Sequence, residues 1–453
     1  MLVSDRYDGR ARVGGAGEEK PLQDFRPDSP FALQDILAAA QQQESDGKTL
    51  DPSFVPAFRE FAGSLAEEAA LTPAGVAVTR QRLTCALANQ LRVRQLIESG
   101  RVDPGLYGDD VVFVVGLPGT GLHRLQRLLG QHPGLNIPSM WEVTRPSTDW
   151  SPWRHDPSRV DPFVYPLWER LGGPTGRQPD PGAPCGDHLL LTYAFHDIAA
   201  SMEYRIPGYS DWLESQDATA AYEFHRLALS VILERVPGGK PVLVSEFHSL
   251  RLKDLLSVYP NARIIRVHRD PLESLADVSA VSTLRRRAWS LGVDPRAVKE
   301  EWARRLGRAL AAPEWYDESV GSRVLDIAYP ELVEAPLLTV RRVCEFMDAP
   351  LPSGVEHRML AEGERLAEDP LGDVSGDRVD RDDRDEQGDR DEQGDRGGLL
   401  DRVDRRDRGD QRGQAEQGDQ RDRFETADVR LPDIFRDYRE SYCRHWGLGT
   451  AIQ

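Results

Sequence analysis

Residues 111–129, VVFVVGLPGTGLHRLQRLL, pass from an unbroken apolar run through glycines into an alternation of leucines and polar residues. That order predicts a buried strand, a glycine turn and the start of a helix. Two further apolar runs, KPVLVSEF (240–247) and ARIIRVHRD (262–270), predict a second and a third strand. Between them DLLSVYP reads as the end of a connecting helix, and SRVLDIAYPELVEAPLLTVRRVCEFM adds a short strand and a helix. Strands that alternate with helices imply an α/β domain with a parallel sheet flanked by helices. Upstream, Leu83, Leu87, Leu91 and Ile97 recur at helical spacing. Ser29–Pro30 and Thr72–Pro73 place an N-cap residue before a proline at the first helical position.

The polar pattern divides the chain. Residues 1–27 are glycine-rich and polar and predict a disordered leader; 28–105 form a helical N-terminal region, and 106–372 the α/β domain. Residues 373–423 are almost all Asp, Arg, Gln, Gly and Glu, with the direct repeat DRDEQGDRDEQGDR. Such a segment has too little apolar surface to offset its ordering entropy, so disorder is expected there. A helical pattern resumes in 424–453 and is expected to pack back on the domain.

Composition narrows the function classes. The 453 residues are 39% hydrophobic, enough for a substantial core, and carry a net charge of -18. That charge repels nucleic acid and anionic lipid, so neither is expected as a partner. No apolar run reaches the roughly 18 residues that span a bilayer, and no membrane association is expected. MLVSDRYDGRARVGG lacks the apolar core of a signal peptide. Cys85, Cys185, Cys344 and Cys443 have no CxxC spacing and read as reduced thiols of a cytoplasmic protein.

The glycine loop poses the chemical question. Gly116 and Gly121 have the spacing of a phosphate-binding loop, but Leu122 stands where its lysine would be and His123 where its Ser/Thr would be. A nucleoside-triphosphate kinase is thereby excluded, because the β/γ-phosphates and Mg²⁺ lose their partners. HExxH, GxSxG and clustered Cys/His motifs are absent from the sequence, and no metal is expected.

The chain resembles the bacterial sulfotransferases, whose opening loop typically reads Gly-Leu-Pro-Arg-Thr-Gly-Thr-Thr. The resemblance rests on FVVGLPGTGLHRLQRLLGQHP, on IPGYSDWLESQDATAAYEFHRLAL with Trp212, Tyr222 and His225 in register, on SEFHSLRLKDLLSVYPNARIIRVHRDPLESL, and on LDIAYPELVEAPLLTVRRVCEFM. It implies a P-loop sulfotransferase-like fold over roughly 29–370 and 424–447. It also implies a donor, 3′-phosphoadenosine-5′-phosphosulfate, whose sulfuryl group moves to a hydroxyl or amine of a small molecule. Gly116, Leu117, Pro118, Gly119, Thr120, Gly121, Leu122 and His123 would form the cradle for the 5′-phosphosulfate. Arg269 of HRDP would pair with the 3′-phosphate.

The departures from the family fall on the chemistry. Gly119 replaces the loop Arg, and Leu122 and His123 replace the Thr pair. Val244 stands at the second-strand Lys, Glu246 at a Pro, and Asp277 at a Ser, where it would face a phosphate with like charge. Of the basic C-terminal loop only Arg423 keeps its place. A charged hydrogen bond contributes about 1.5–3 kcal/mol, so losing several weakens donor binding by orders of magnitude. Three outcomes stay open: compensation by His123, Arg124, Arg251 or Arg266; a repurposed reaction; or a non-catalytic binding protein. His248 matches a histidine frequent in relatives and, with Glu246, is a candidate catalytic base. His188 and His196 lie where acceptor-side groups usually sit, although single histidines more often serve structure, as expected for His225.

Overall fold

The computed structural model describes residues 29–44, 51–105, 110–146, 180–234, 239–312, 323–368 and 431–446. Five strands, β1 (Val112–Gly116), β2 (Leu135–Asn136), β3 (Lys240–Val244), β4 (Arg263–His268) and β5 (Val324–Ala328), make one sheet in the order β2-β3-β1-β4-β5. Every pairing is parallel. Val114 is level with Val244 on one side and Ile265 on the other, and Gly116 is level with Val267. All five β1 residues are buried because helices cover both faces of the sheet, which is why the run shows no alternation. Phe113, Val115, Leu243 and Ile264 join one core cluster, and Val112, Val114, Val242 and Ile265 join the other.

Two expectations shift. β3 stops at Val244, three residues short of the apolar run, because the Ser245 hydroxyl accepts the Phe247 N–H at 3.2 Å and starts a 3-10 turn over Glu246–Leu250. β2 has only two residues and leaves no readable run.

The N-terminal region supplies α1 (Leu33–Gln43), α2 (Val55–Glu67) and α3 (Pro73–Glu98). Thr72 caps α3, accepting the Gly75 N–H at 3.1 Å with Pro73 behind it. Ser29 does not cap α1: it accepts from Phe31 N in a tight turn, and the helix begins only at Leu33. The start of α3 meets the end of the helix Pro271–Trp289, where Thr72 N–H donates to the Trp289 carbonyl at 2.8 Å. A Cβ on Gly75 would overlap that same carbonyl, so the close approach requires glycine there.

The helix Asp433–Trp446 lies against the helix Pro295–Ala311 and the end of β4. Phe435 and Tyr438 are buried, the Tyr438 hydroxyl meets His268 Nδ1 at 2.6 Å, and Arg439 pairs with Asp270 at 2.9 Å. The proposed leader at 1–27, the proposed insert at 373–423 and Arg423 within it lie outside the described residues. Among the described residues, no helix is long and apolar enough to cross a membrane.

Arg286 locks the helices on one side of the sheet. It is 2% exposed, its guanidinium donates to the Ser201 carbonyl, and it pairs with Glu301 at 2.9 Å. Arg305 approaches the same carboxylate at 3.9 Å. Removing one partner of a buried pair strands the other charge, at a cost of about 3–5 kcal/mol. Glu301→Ala is expected to lower the unfolding free energy by about that amount in urea titration. A change below about 1 kcal/mol would mean that water reaches Arg286.

Candidate functional site

β1 lies at the centre of the sheet; after it the chain fills one side with β2 and β3, then crosses to the other for β4 and β5. Loops leaving neighbouring strands diverge there and open a crevice at the carboxyl ends. Three strand ends meet in it: the loop Leu117–Gly121 after β1, Glu246 after β3, and Arg269 after β4.

The loop turns sharply. Gly119 has φ 93° and Gly121 φ 68°, conformations that disfavour a side chain, and Gly121 leads into the helix α4 (Leu122–Leu129). Behind Gly119 a Cβ would overlap the Ser274 carbonyl oxygen, because the helix Pro271–Trp289 presses directly on the loop. This explains the missing loop arginine: no side chain fits there. Leu117, Pro118 and Thr120 are buried, and Leu122 is 2% exposed and packs with Val112, Val114 and Leu125. The lysine position has therefore become part of the core. His123 and Arg124 stay half-buried on the first turn of α4.

The cradle holds an anion from its own chain. The Gly119 N–H donates to Glu246 Oε2 at 3.3 Å, and the N–H groups of Leu122 and Gly121 lie close enough to favour the charged carboxylate. Burial raises the Glu246 pKa above the usual carboxylate range, against the pull of those amides and of the Arg269 charge. In the same loop Thr120 Oγ1, close against Gly116, is buried without a hydrogen-bond partner.

Arg269 is buried and fully engaged. Its Nη1 donates to the Gly119 carbonyl at 2.6 Å and pairs with Asp277 at 2.5 Å, its Nε pairs with Glu273 at 3.0 Å, and its guanidinium lies 4.7 Å from the Tyr329 ring centroid. Asp277, expected to oppose a phosphate, instead neutralises the arginine that would bind one. Arg251 and Arg266 turn away from the loop: Arg251 donates to the Leu213 and Gln216 carbonyls, and Arg266 makes a two-point pair with Asp326 at 2.7 and 2.9 Å.

The histidines separate by environment. His248 and His225 are both 0% exposed and converge through Nε2 on Asp187 Oδ2, at 2.7 and 3.0 Å. Their Nδ1 atoms meet the Tyr222 and Tyr259 hydroxyls at 2.8 Å each. His248 therefore presents no open nitrogen to an acceptor, and its geometry is that of a core clamp. Burial alone would raise Asp187, but the contacts of His248 and His225 hold it well below the usual carboxylate range. The three residues bring ligand-type atoms within 4.8 Å of one another, yet hydrogen bonds already account for all four ring nitrogens. His196 is half-buried, bonded to the Ala194 carbonyl, and lowered by burial to about 4. His188 is half-buried, lowered by burial to about 3, and bonded to the hydroxyl of Ser245, next to Glu246. Asp187 escaped the sequence reading because a single acidic residue carries no motif. The capture of Glu246 had one available signal, an acidic residue just past a strand beside a loop lacking its lysine.

Comparison with known proteins agrees with this architecture. Residues 111–353, more than half of the chain, match the sequence profile of the Sulfotransferase family. The sulfotransferase STF9 from Mycobacterium avium is similar in structure with a TM-score of 0.64 at 22% identity, over 77% of this chain and 90% of that one. Sulfotransferase STF1 from Mycobacterium tuberculosis H37Rv gives 0.60 at 24%, over 74% and 97%. At those identities both show the fold alone. No curated protein matches the chain. On the profile match, the chain belongs to the sulfotransferase family.

Two substitutions test the geometry. Gly119→Ala forces a side chain into a positive φ against backbone and is expected to cost about 1–3 kcal/mol or more. A neutral result in urea titration would show that the helix does not press on the loop. Asp187→Ala strands two buried ring N–H groups and is expected to cost about 2–6 kcal/mol. Stability unchanged by that substitution would place water at the cluster.

Proposed function

We propose that this chain is a sulfuryl transferase that takes 3′-phosphoadenosine-5′-phosphosulfate at the loop and serves a hydroxyl or amine of a small molecule. The observation that carries the reading is a glycine loop that holds a carboxylate at its amides: the Gly119 N–H donates to Glu246 at 3.3 Å, with the Gly121 and Leu122 N–H groups close by, and Thr120 Oγ1 of the same loop is buried without a partner. A loop that holds a carboxylate in this way is formed for an oxyanion. The residues fit the donor's two anionic ends in kind: backbone N–H groups and the α4 N-terminus for the 5′-phosphosulfate, and Arg269 for the 3′-phosphate. When bound, the donor supplies an electrophilic sulfuryl group.

The chain's own residues would handle the proton. Glu246 stands at the end of β3 beside the loop, where burial raises its pKa and makes its carboxylate a stronger base than an exposed glutamate. His188, neutral near pH 7 and bonded to Ser245, is placed to orient an acceptor on the same side.

One observation favours a second reading, a non-catalytic binding protein. The arginine meant for the 3′-phosphate is already neutralised by Asp277 and Glu273. Calorimetric titration with adenosine 3′,5′-bisphosphate, the desulfonated donor, distinguishes the two. Binding is expected in wild type or, if too weak there, in Asp277→Ser or Glu246→Ala. In whichever of these binds, Arg269→Ala is expected to weaken binding by about 1.5–3 kcal/mol, with partial recovery in Arg269→Lys. No binding at millimolar nucleotide in any of the three would end the donor assignment.

A further inference from the structure

We infer that the donor site of this chain is self-occupied: Glu246 is the resident anion of the glycine-loop cradle, and Asp277 is the resident partner of Arg269. An incoming donor must displace both. The inference deepens the donor assignment and rests on it for the identity of the displacing ligand; the occupancy itself does not.

Both halves of the site hold an acid of the chain itself. At the cradle, the Glu246 carboxylate accepts the Gly119 N–H at 3.3 Å, with the Gly121 and Leu122 amides close by. At the other end, Asp277, eight residues beyond Arg269, binds that guanidinium at 2.5 Å. Two acids at separate points of the chain, one after β3 and one on the helix after β4, thus end on the two groups that would hold phosphate. A packing explanation for either acid alone would not place both there.

The charge balance supports the same conclusion. Around the cradle lie Arg269 on the β4 side, Asp277 and Glu273 on the helix behind it, Tyr329 after β5, and His188 beside Ser245 on the β3 side. The carboxylates outnumber the guanidinium, so a doubly phosphorylated nucleotide meets repulsion until they move. The bolt between the two halves is Arg269 itself, whose Nη1 binds both the Gly119 carbonyl and Asp277. Motion of Asp277 therefore bears on the loop as well.

The test has two independent arms. In calorimetry with adenosine 3′,5′-bisphosphate, Glu246→Ala and Asp277→Ser are each expected to tighten binding by about 10-fold or more, the worth of one charged hydrogen bond. Wild-type affinity, relative to Glu246→Ala, is expected to rise as pH falls through the raised titration range of Glu246, since protonation frees the amides. Binding by Glu246→Ala that equals or falls below wild type would overturn the inference. The second arm needs no nucleotide. In ¹H–¹⁵N spectra the Gly119 and Gly121 amides of wild type are expected to follow one titration step above the ordinary glutamate range, absent in Glu246→Gln. Amides in wild type that ignore pH would overturn it too. Titrating amides together with no nucleotide binding in any variant would uphold the occupancy and dismiss the donor assignment instead.

Discussion

An anion held by backbone amides is the interaction on which this site is organised. Amides at a helix start cannot be deleted by substitution, so a loop of this shape attracts negative charge whatever its side chains are. With Leu122 drawn into the core and Gly119 pressed against a helix, the loop has no lysine or arginine of its own to balance a ligand. A carboxylate is the smallest group that satisfies those amides without bringing two or more charges into the crevice. Glu246 meets that demand from the neighbouring strand end, and β3 has to stop early for it to do so.

Arg269 extends the constraint across the sheet. One nitrogen reaches the loop carbonyl and the helix carboxylate together, so the positions of β1, β4 and the helix Pro271–Trp289 are set against each other at a single guanidinium. Directly against Phe113 of β1, Asp187 gathers two histidines and, through them, two tyrosines. Neither cluster tolerates an unpaired member, because each group is buried. The catalytic-looking histidine of the sequence, His248, is consumed by that need.

The fold was legible because its signals are local and strong: continuous apolar strands, Thr72–Pro73 at the start of α3, and glycines at the turn after β1. β2 was not, since two residues buried at a sheet edge differ in no way from a loop. Ser29 misled because a hydroxyl that bonds two residues ahead makes a turn as readily as a cap. For the site, the residue types were readable and their partners were not. Asp277 looks like a repulsive charge in a one-dimensional alignment and becomes a neutralising one only when the helix places it on Arg269. Charge in a sequence has a sign, whereas its effect depends on which neighbour it finds first.

The closing helix Asp433–Trp446 is anchored at the strand end that carries Arg269, through Tyr438 on His268 and Arg439 on Asp270. Residues 369–430 lie between it and the last preceding helix. For any flexible connection the closure cost grows only with the logarithm of its length. A single cut does something different in kind. It turns an intramolecular contact into one governed by concentration, and the helix is then held at β4 only by its own contacts, those of Tyr438 and Arg439 among them. The integrity of a segment remote in sequence thereby becomes a condition on the residues that flank Arg269.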